Sequence, residues 1–162
     1  MDDSTIEPIL VAGRWRPATL VGTYRAFDPT AARRREAVWP VSGWADVDEA
    51  LDAAVQAHAD LARRPVAELA AFLERYAERL EARAHDLVAA AHAETGLAVT
   101  PRLRESELPR MLDTLRQAAA AAREQTWRMA MIDTATNIRA ACFGLGPVAI
   151  FPPANFPSPT AA

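Results

Sequence analysis

The sequence predicts a mostly α-helical fold that follows short β-hairpins and leads into one β-strand near its carboxyl end. Three patterns carry this prediction. Residues 1–43 contain short apolar runs separated by turn residues, which is typical of β-hairpins. Between residues 44 and 124 the apolar residues recur at the helical period instead. Residues 148–151 then form a short apolar run bounded by prolines, which is typical of a buried strand.

The region before residue 44 is predicted to contain short strands joined by turns. Four short stretches are predicted as strands, residues 9–11, 14–16, 23–27 and 38–41. Gly13 lies between the first two, where its freedom to adopt a positive φ suits a tight hairpin turn. Residues 28–30 read Asp-Pro-Thr, a turn signal that ends the third strand. The arginines at 33–35 are predicted to lie in a solvated loop.

Helices are predicted over residues 44–60, 65–95 and 101–124, each with an apolar stripe that faces the core. The stripe residues are Val47, Leu51, Ala54, Val55 and His58 in the first helix, Leu69, Phe72, Leu73, Tyr76, Leu80, Leu87, Val88 and Ala91 in the second, and Leu103, Met111, Leu112, Leu115 and Ala119 in the third. Gly96 is placed to cap the second helix. Pro109 either kinks the third helix or restarts it, with Ser106 as the new cap.

Charge and composition exclude several functional classes. The net charge of −3 gives no electrostatic reason to expect a nucleic-acid partner or an anionic membrane surface. All 18 basic residues are arginine, so lysine Schiff-base chemistry is excluded for these residues. The single cysteine, Cys142, cannot form an internal disulfide, which favours a reducing compartment. With no signal-peptide pattern and no apolar run near the roughly 18 residues of a membrane span, the sequence predicts a cytoplasmic protein.

Most polar motifs have ordinary structural explanations. Cys142 lies in an apolar run with no histidine nearby in sequence, so it is predicted to fill the core and not to act as a nucleophile. The histidines lack the spacing of a helical zinc motif and are predicted as surface or boundary residues, His58, His85 and His92. Acidic residues at helix starts, such as Asp46, complement the helix dipole. No pair of glycines completes a phosphate-binding loop.

Asn155 is the one polar side chain within residues 152–157, the proline-rich turn after the predicted strand. Strand ends carry binding groups in α/β folds. An amide at this place could donate to a developing oxyanion, an interaction worth about 3–4 kcal/mol of transition-state stabilisation. The alternative is that Asn155 caps the turn through its own backbone. From the residues alone, the turn cap is the favoured interpretation.

Several segments together resemble landmarks of the aldehyde dehydrogenase superfamily. In chain order they are the opening hairpin at residues 13–15, a turn at 27–29, a helix start at 46–48, a Glu-Thr-Gly helix end at 94–96, a strand at 146–151 and an Asn-Phe-Pro turn at 155–157. They occur in the family's order and extend over essentially the whole chain. Residues 92–97 and 132–135 look most similar to the α-ketoglutaric semialdehyde dehydrogenase branch.

The resemblance implies an α/β fold with a Rossmann-like NAD(P)-binding domain. Residues 1–162 would be the amino-terminal part of that domain, without the catalytic domain. This part would be mostly α-helical, with amino-terminal hairpins and the first strand of the nucleotide-binding sheet. It would also include part of the oligomerisation hairpin, at about residues 128–143.

The resemblance also implies oxidation of an aldehyde to a carboxylate. In the family a cysteine thiolate attacks the aldehyde, an asparagine holds the oxyanion, hydride passes to the nicotinamide, and a glutamate-activated water releases the product. Asn155 matches the asparagine. The positions that line the nicotinamide side of the cofactor site are matched by Phe151, Pro152, Pro153 and Ala154. The cofactor of the intact enzyme would be NAD or NADP.

Three parts of the family's machinery have no counterpart in residues 1–162: the nucleophilic cysteine, the glutamate base and the lysine that contacts the cofactor ribose. Cys142 precedes the strand, so it does not match the nucleophile. We therefore expect a fragment that is inactive alone. Two alternatives stay open, a non-enzymatic helical interaction or regulatory module and one half of a split enzyme. The expected partners are accordingly an aldehyde substrate in the intact enzyme and either further copies of the chain or a complementing catalytic half.

Overall fold

The computed structural model describes residues 6–151, and in this range short strands precede a group of packed helices. The strands are β1 (Ile9–Val11), β2 (Arg14–Arg16), β3 (Leu20–Tyr24), β4 (Phe27–Asp28), β5 (Arg33–Arg34), β6 (Trp39–Ser42), β7 (Met131–Asp133) and β8 (Ile138–Ala140). The helices are α1 (Trp44–Leu61), α2 (Val66–Ala82), α3 (Ala84–Thr95) and α4 (Leu108–Glu124). A π-type segment (Val99–Glu107) precedes α4, and it is kinked at Thr100, where the backbone is non-helical with φ −128° and ψ 134°. A 3-10 turn (Thr126–Arg128) follows α4. The predicted combination of amino-terminal hairpins with a mostly helical chain is confirmed.

Among the described residues the named strands pair only in twos, and each pair is antiparallel. The pairs are β1 with β2, β3 with β6, β4 with β5 and β7 with β8. Ala12 and Gly13 join β1 to β2 with φ angles of 50° and 76°, which confirms the predicted tight turn. The loop predicted at 33–35 is partly wrong, because Arg33 and Arg34 form β5 against β4. Their side chains are exposed, as predicted.

Helix ends agree with the sequence at Gly96 and differ from it at Arg83. Gly96 caps α3 in the left-handed conformation with a φ of 70°. The single helix predicted over 65–95 is wrong, since the backbone leaves the helical conformation at Arg83, with φ −106° and ψ 18°. The third helix restarts: Pro109 lies in the first turn of α4, whereas Ser106 lies in the π-type segment and provides no cap. None of the described helices is long and apolar enough to cross a membrane.

The core lies where α2 and α3 meet the π-type segment and α4. Its buried side chains are Ala77, Val88, Leu103, Leu108, Leu112 and Leu115. The inward face predicted for the third helix is confirmed at the buried residues Leu103, Leu112, Leu115 and Ala119. Ala70 on α2 and Ala119 on α4 are fully buried, and α2 packs more extensively on α4 than on any other element of the described chain. Small side chains therefore set the closest helix contact of this core.

Part of the apolar stripe predicted to face inward is exposed. The exposed stripe residues are Val47, Leu51 and Val55 on α1 and Leu69, Phe72 and Tyr76 on α2. Leu51 retains 52% of its accessible surface. The buried side of α1 instead carries Asp46, and the helix packs on β1 and β6. The prediction was wrong here because helical periodicity gives the spacing of a stripe and not the side that a neighbour covers.

Asp46 ties the amino-terminal strands to α1. Only 3% of this residue is exposed. Its Oδ1 accepts a hydrogen bond of 2.8 Å from Nη1 of Arg16, and its Oδ2 accepts one of 2.7 Å from the backbone N–H of Thr19. Arg16 also pairs with Glu49 one turn further along α1. Burial raises the pKa of the Asp46 carboxyl, but the hydrogen bonds from Arg16 and Thr19 outweigh burial and hold that pKa below its usual value.

Gly96 joins the helices to the turn that follows β4. A β-carbon placed on Gly96 would lie 3.1 Å from Cγ of Pro29 and 3.7 Å from Cγ2 of Thr30. That turn is fixed by Asp28, whose Oδ1 accepts hydrogen bonds from the backbone N–H groups of Thr30 and Ala31. Two sequence landmarks far apart in the chain, residues 27–29 and 94–96, therefore meet in the fold.

We predict that Gly96→Ala destabilises the chain more than Gly13→Ala does. Both glycines have positive φ, which costs an alanine about 1–2 kcal/mol. Only Gly96 has a neighbour, because nothing lies within 4 Å of a β-carbon at Gly13. Urea unfolding of both variants measures the difference, which isolates the contact with Pro29. Equal losses in free energy of unfolding would show that this contact gives way without cost.

We also predict that Asp46→Asn lowers the melting temperature at neutral pH and flattens the acid side of the stability profile. Because the folded-state pKa of Asp46 lies below its usual value of 3.8, its ionised form stabilises the fold above that pH. That contribution falls as the pH drops through 3.8 towards the folded-state pKa, so the wild type and the variant should converge there. The exposed Asp52→Asn is the matched control, with no change expected. Parallel profiles for the wild type and Asp46→Asn would contradict the prediction.

Candidate functional site

Of the five residues predicted for the site, the described structure contains one. Phe151 is its last described residue, and 91% of it is exposed. Pro152, Pro153, Ala154 and Asn155 lie outside the described residues. The described residues nearest to the candidate site in the chain are 141–151, which we call the exit segment. The elements that contact this segment are described next.

The hairpin β7–β8 leads directly into the exit segment. Its turn is closed by Asp133, whose Oδ1 accepts hydrogen bonds from the backbone N–H groups of Ala135 and Thr136 and whose Oδ2 accepts one of 2.6 Å from the Thr136 hydroxyl. The hydroxyl and backbone donors hold the pKa of Asp133 below its usual value. The exit segment thus follows a hairpin whose turn is held by these hydrogen bonds.

Arg128 anchors the beginning of the exit segment. The backbone N–H of Cys142 donates a 2.8 Å hydrogen bond to the carbonyl oxygen of Arg128. The Arg128 guanidinium carbon lies 5.3 Å from the centre of the Phe143 ring, within range of a cation–π contact. Sequence reasoning missed this anchor, since a 3-10 turn after a helix has no strong residue signature.

The ring of His58 on α1 lies beside the next part of the exit segment. A β-carbon placed on Gly144 would lie 4.0 Å from Cε1 of His58, and one placed on Gly146 would lie 4.0 Å from Cδ2 and Nε2 of the same ring. Gly146 has a φ of 106°, which an L-residue with a side chain rarely adopts. The sequence placed His58 on an apolar stripe, and the structure brings that stripe beside the glycines that precede the predicted strand.

The strand predicted at 148–151 pairs with no other strand in the described part of the chain. Its side chains are exposed on both faces, among them Val148, Ile150 and Phe151, and Leu145 before it is 99% exposed. A strand of a parallel sheet requires a neighbour for its hydrogen bonds and cover on both faces. Residues 6–151 supply neither here, and residues 148–151 form no strand within the described part of the chain.

The chemistry of an enclosed active site is not assembled within residues 6–151. Cys142 is exposed, so the expectation that it fills the core is wrong. Within the same range no group of His, Cys, Asp and Glu could hold a metal ion. The carboxyls with lowered pKa values serve turns and ion pairs, as Asp28 does with Thr30 and Glu74 does with Arg123. These groups support the fold and are not a general acid and base.

The sequence matches the aldehyde dehydrogenase family over residues 15–162. It is 37% identical over 158 residues to alpha-ketoglutaric semialdehyde dehydrogenase 2 of Azospirillum brasilense, an alignment that covers 91% of this chain and 30% of that protein. Acetaldehyde dehydrogenase 2 of Cupriavidus necator is 33% identical over 147 residues, with 91% of this chain and 29% of that protein covered. The chain thus spans about 30% of the length of these relatives.

The fold agrees with this similarity. A crystal structure of an NAD-dependent benzaldehyde dehydrogenase from Corynebacterium glutamicum superimposes with a TM-score of 0.70 at 24% sequence identity, over 78% of this chain and 26% of that one. The predicted α/β class of the family and the resemblance to the semialdehyde dehydrogenase branch are both confirmed. The match over residues 15–162 includes five of the six landmark segments in full and the last residue of the first. The chain belongs to the aldehyde dehydrogenase family.

Proposed function

We propose that residues 1–162 form the amino-terminal part of the NAD(P)-binding domain of an enzyme that oxidises an aldehyde to a carboxylate. The observation that carries this proposal is the family match over residues 15–162. The order of the described elements supports it, since hairpins, a helical layer and an exposed apolar segment follow one another as the resemblance implies. The two relatives are named for different aldehydes, so the proposal extends to aldehyde oxidation and not to one substrate.

Asn155 is proposed to stabilise the oxyanion of the thiohemiacetal, with Phe151 to Ala154 beside the nicotinamide. The exposure of Phe151 supports this assignment, because its ring is free to pack against a bound group or further protein. The amide NH2 of Asn155 would donate to the oxygen that gains negative charge when a thiolate attacks the aldehyde. NAD or NADP would accept the hydride. The benzaldehyde dehydrogenase with the similar fold is named as NAD-dependent, and this favours NAD as the first cofactor to assay.

The chain by itself is proposed to lack dehydrogenase activity. Cys142 is its only cysteine and is exposed, beside a hairpin and not in an enclosed pocket. Activity would then require a complementing catalytic half, and the hairpin β7–β8 is proposed as part of the surface through which copies of the intact enzyme associate. A cytoplasmic location is part of the same proposal.

We expect no aldehyde-dependent rise in NAD(P)H absorbance from the purified chain of residues 1–162. The physical reason is that an oxyanion donor without a thiolate has no covalent intermediate to stabilise. The assay compares the chain with its Asn155→Ala variant, using both NAD and NADP. Turnover by the wild type that disappears in the variant would contradict the proposed inactivity.

The role of Asn155 is tested in a chimera. Residues 15–162 replace the corresponding segment of the Azospirillum brasilense relative, which is 37% identical over most of this chain. We expect the chimera to reduce NAD(P), and its Asn155→Ala form to lose about 10²–10³-fold in kcat, the usual effect of removing one oxyanion donor. Gln117→Ala is the control, because Gln117 carries an exposed amide on α4. Equal activity of the two variants would refute the assigned role.

A further inference from the structure

One histidine ring lies beside both glycines of the exit segment. A β-carbon built on Gly144 would lie 4.0 Å from Cε1 of His58, and one built on Gly146 would lie 4.0 Å from Cδ2 and Nε2 of the same ring. Apart from chain neighbours, no other described residue comes within 4 Å of either β-carbon. Within residues 6–151, a single side chain therefore borders the space beside these glycines.

The ring is carried by the end of a regular helix. His58 lies in the last turn of α1, and its carbonyl oxygen accepts a 2.9 Å hydrogen bond from the backbone N–H of Ala62, the cap of that helix. The helix in turn packs on β1 and β6. His58 is otherwise exposed, so replacing its side chain should leave the core intact.

The path of the exit segment is defined at two places. At its start, the backbone N–H of Cys142 donates to the carbonyl oxygen of Arg128, whose guanidinium carbon lies 5.3 Å from the centre of the Phe143 ring. Further along, the segment passes the ring of His58 and turns at Gly146, where φ is 106°. The direction in which the chain leaves α1 is thus set beside this ring.

We propose that His58 is a positioning residue for the oxyanion donor. Residues 147–151 are exposed, and no strand of the described chain pairs with them. Their direction therefore depends on the contacts that precede them. The ring of His58 limits how closely the exit segment approaches α1, and in this way it fixes where the segment that leads to Asn155 begins. This role rests on the proposed function, since His58 acts through Asn155.

The contact depends on the shape of the ring and not on its protons. The ring atoms nearest to the exit segment border Gly144 and Gly146, which carry no side-chain group that exchanges a proton. A phenylalanine would place a flat ring at the same position without ring nitrogens. His58→Phe should therefore keep the contact, whereas His58→Ala removes it.

The test uses the chimera that carries residues 15–162 in the Azospirillum brasilense relative. We expect His58→Ala to lower kcat about three- to tenfold with little change in KM, a smaller loss than in Asn155→Ala because the donor is displaced and not removed. His58→Phe should retain nearly the wild-type kcat and the same pH dependence. His85→Ala is the matched control, because His85 is an exposed histidine on α3, and it should have no effect.

Combining the two substitutions provides the decisive arm. In the Asn155→Ala chimera, His58→Ala should cause no further loss of kcat, since the amide that the ring positions is absent. Residues that act as a unit show this lack of additivity. A residue with a general structural role would instead lower kcat by the same factor in both backgrounds.

Four results would overturn the role of His58. They are an unchanged kcat in His58→Ala, an equal loss in both Asn155 backgrounds, a loss in His58→Phe as large as in His58→Ala, and a His58→Ala form that circular dichroism shows to be unfolded. The first of these in an active chimera counts against His58 alone. A folded chimera without dehydrogenase activity contradicts the proposed function, and the role of His58 falls with it.

Discussion

The close contact of α2 with α4 is the constraint on which the other helices depend. Ala70 and Ala77 on α2 and Ala119 on α4 are buried where the two helices pack, and side chains this small allow the backbones to approach. Ion pairs between Glu74 and Arg123 and between Glu81 and Arg116 lie at the exposed border of this contact. A larger residue at an alanine position would separate the helices and expose the leucines of α4, since packed interiors have little room for added volume.

The strands join the helical core through two local contacts and not through a shared sheet. At the start of α1, Asp46 accepts hydrogen bonds from Arg16 and Thr19. At the end of α3, Gly96 lies against Pro29. One contact is electrostatic and the other is steric, so they respond to different conditions. Acid weakens the first by protonating a carboxylate, whereas pH leaves the second unchanged. Acid can therefore weaken the contact of the strands with Asp46 while the contact between Gly96 and Pro29 is kept.

Sequence patterns predicted the elements whose signals are local. The turn at Gly13, the cap at Gly96 and the buried face of α4 each depend on neighbours within one or two turns, and each is confirmed. The break at Arg83 was not predictable, because neither glycine nor proline marks it. Asp46 was assigned to the helix dipole alone, since its partner Arg16 is 30 positions away and no local pattern connects them. Asn155 and its neighbours rest on the family resemblance, because a site built from several distant segments leaves no periodic signal in one of them.

Exposed apolar surfaces lie on α1, on α2 and on the exit segment. A chain that covers about 30% of its relatives carries helix faces and an extended segment whose apolar side chains residues 6–151 do not cover. Scattered apolar residues on a surface are ordinary, but rows one helical turn apart bordered by charges of one sign are typical of contact surfaces. The exit segment differs from the helix faces, since its backbone donors and acceptors also require partners. A helix face can be satisfied by any complementary helix, whereas the exit segment requires a strand.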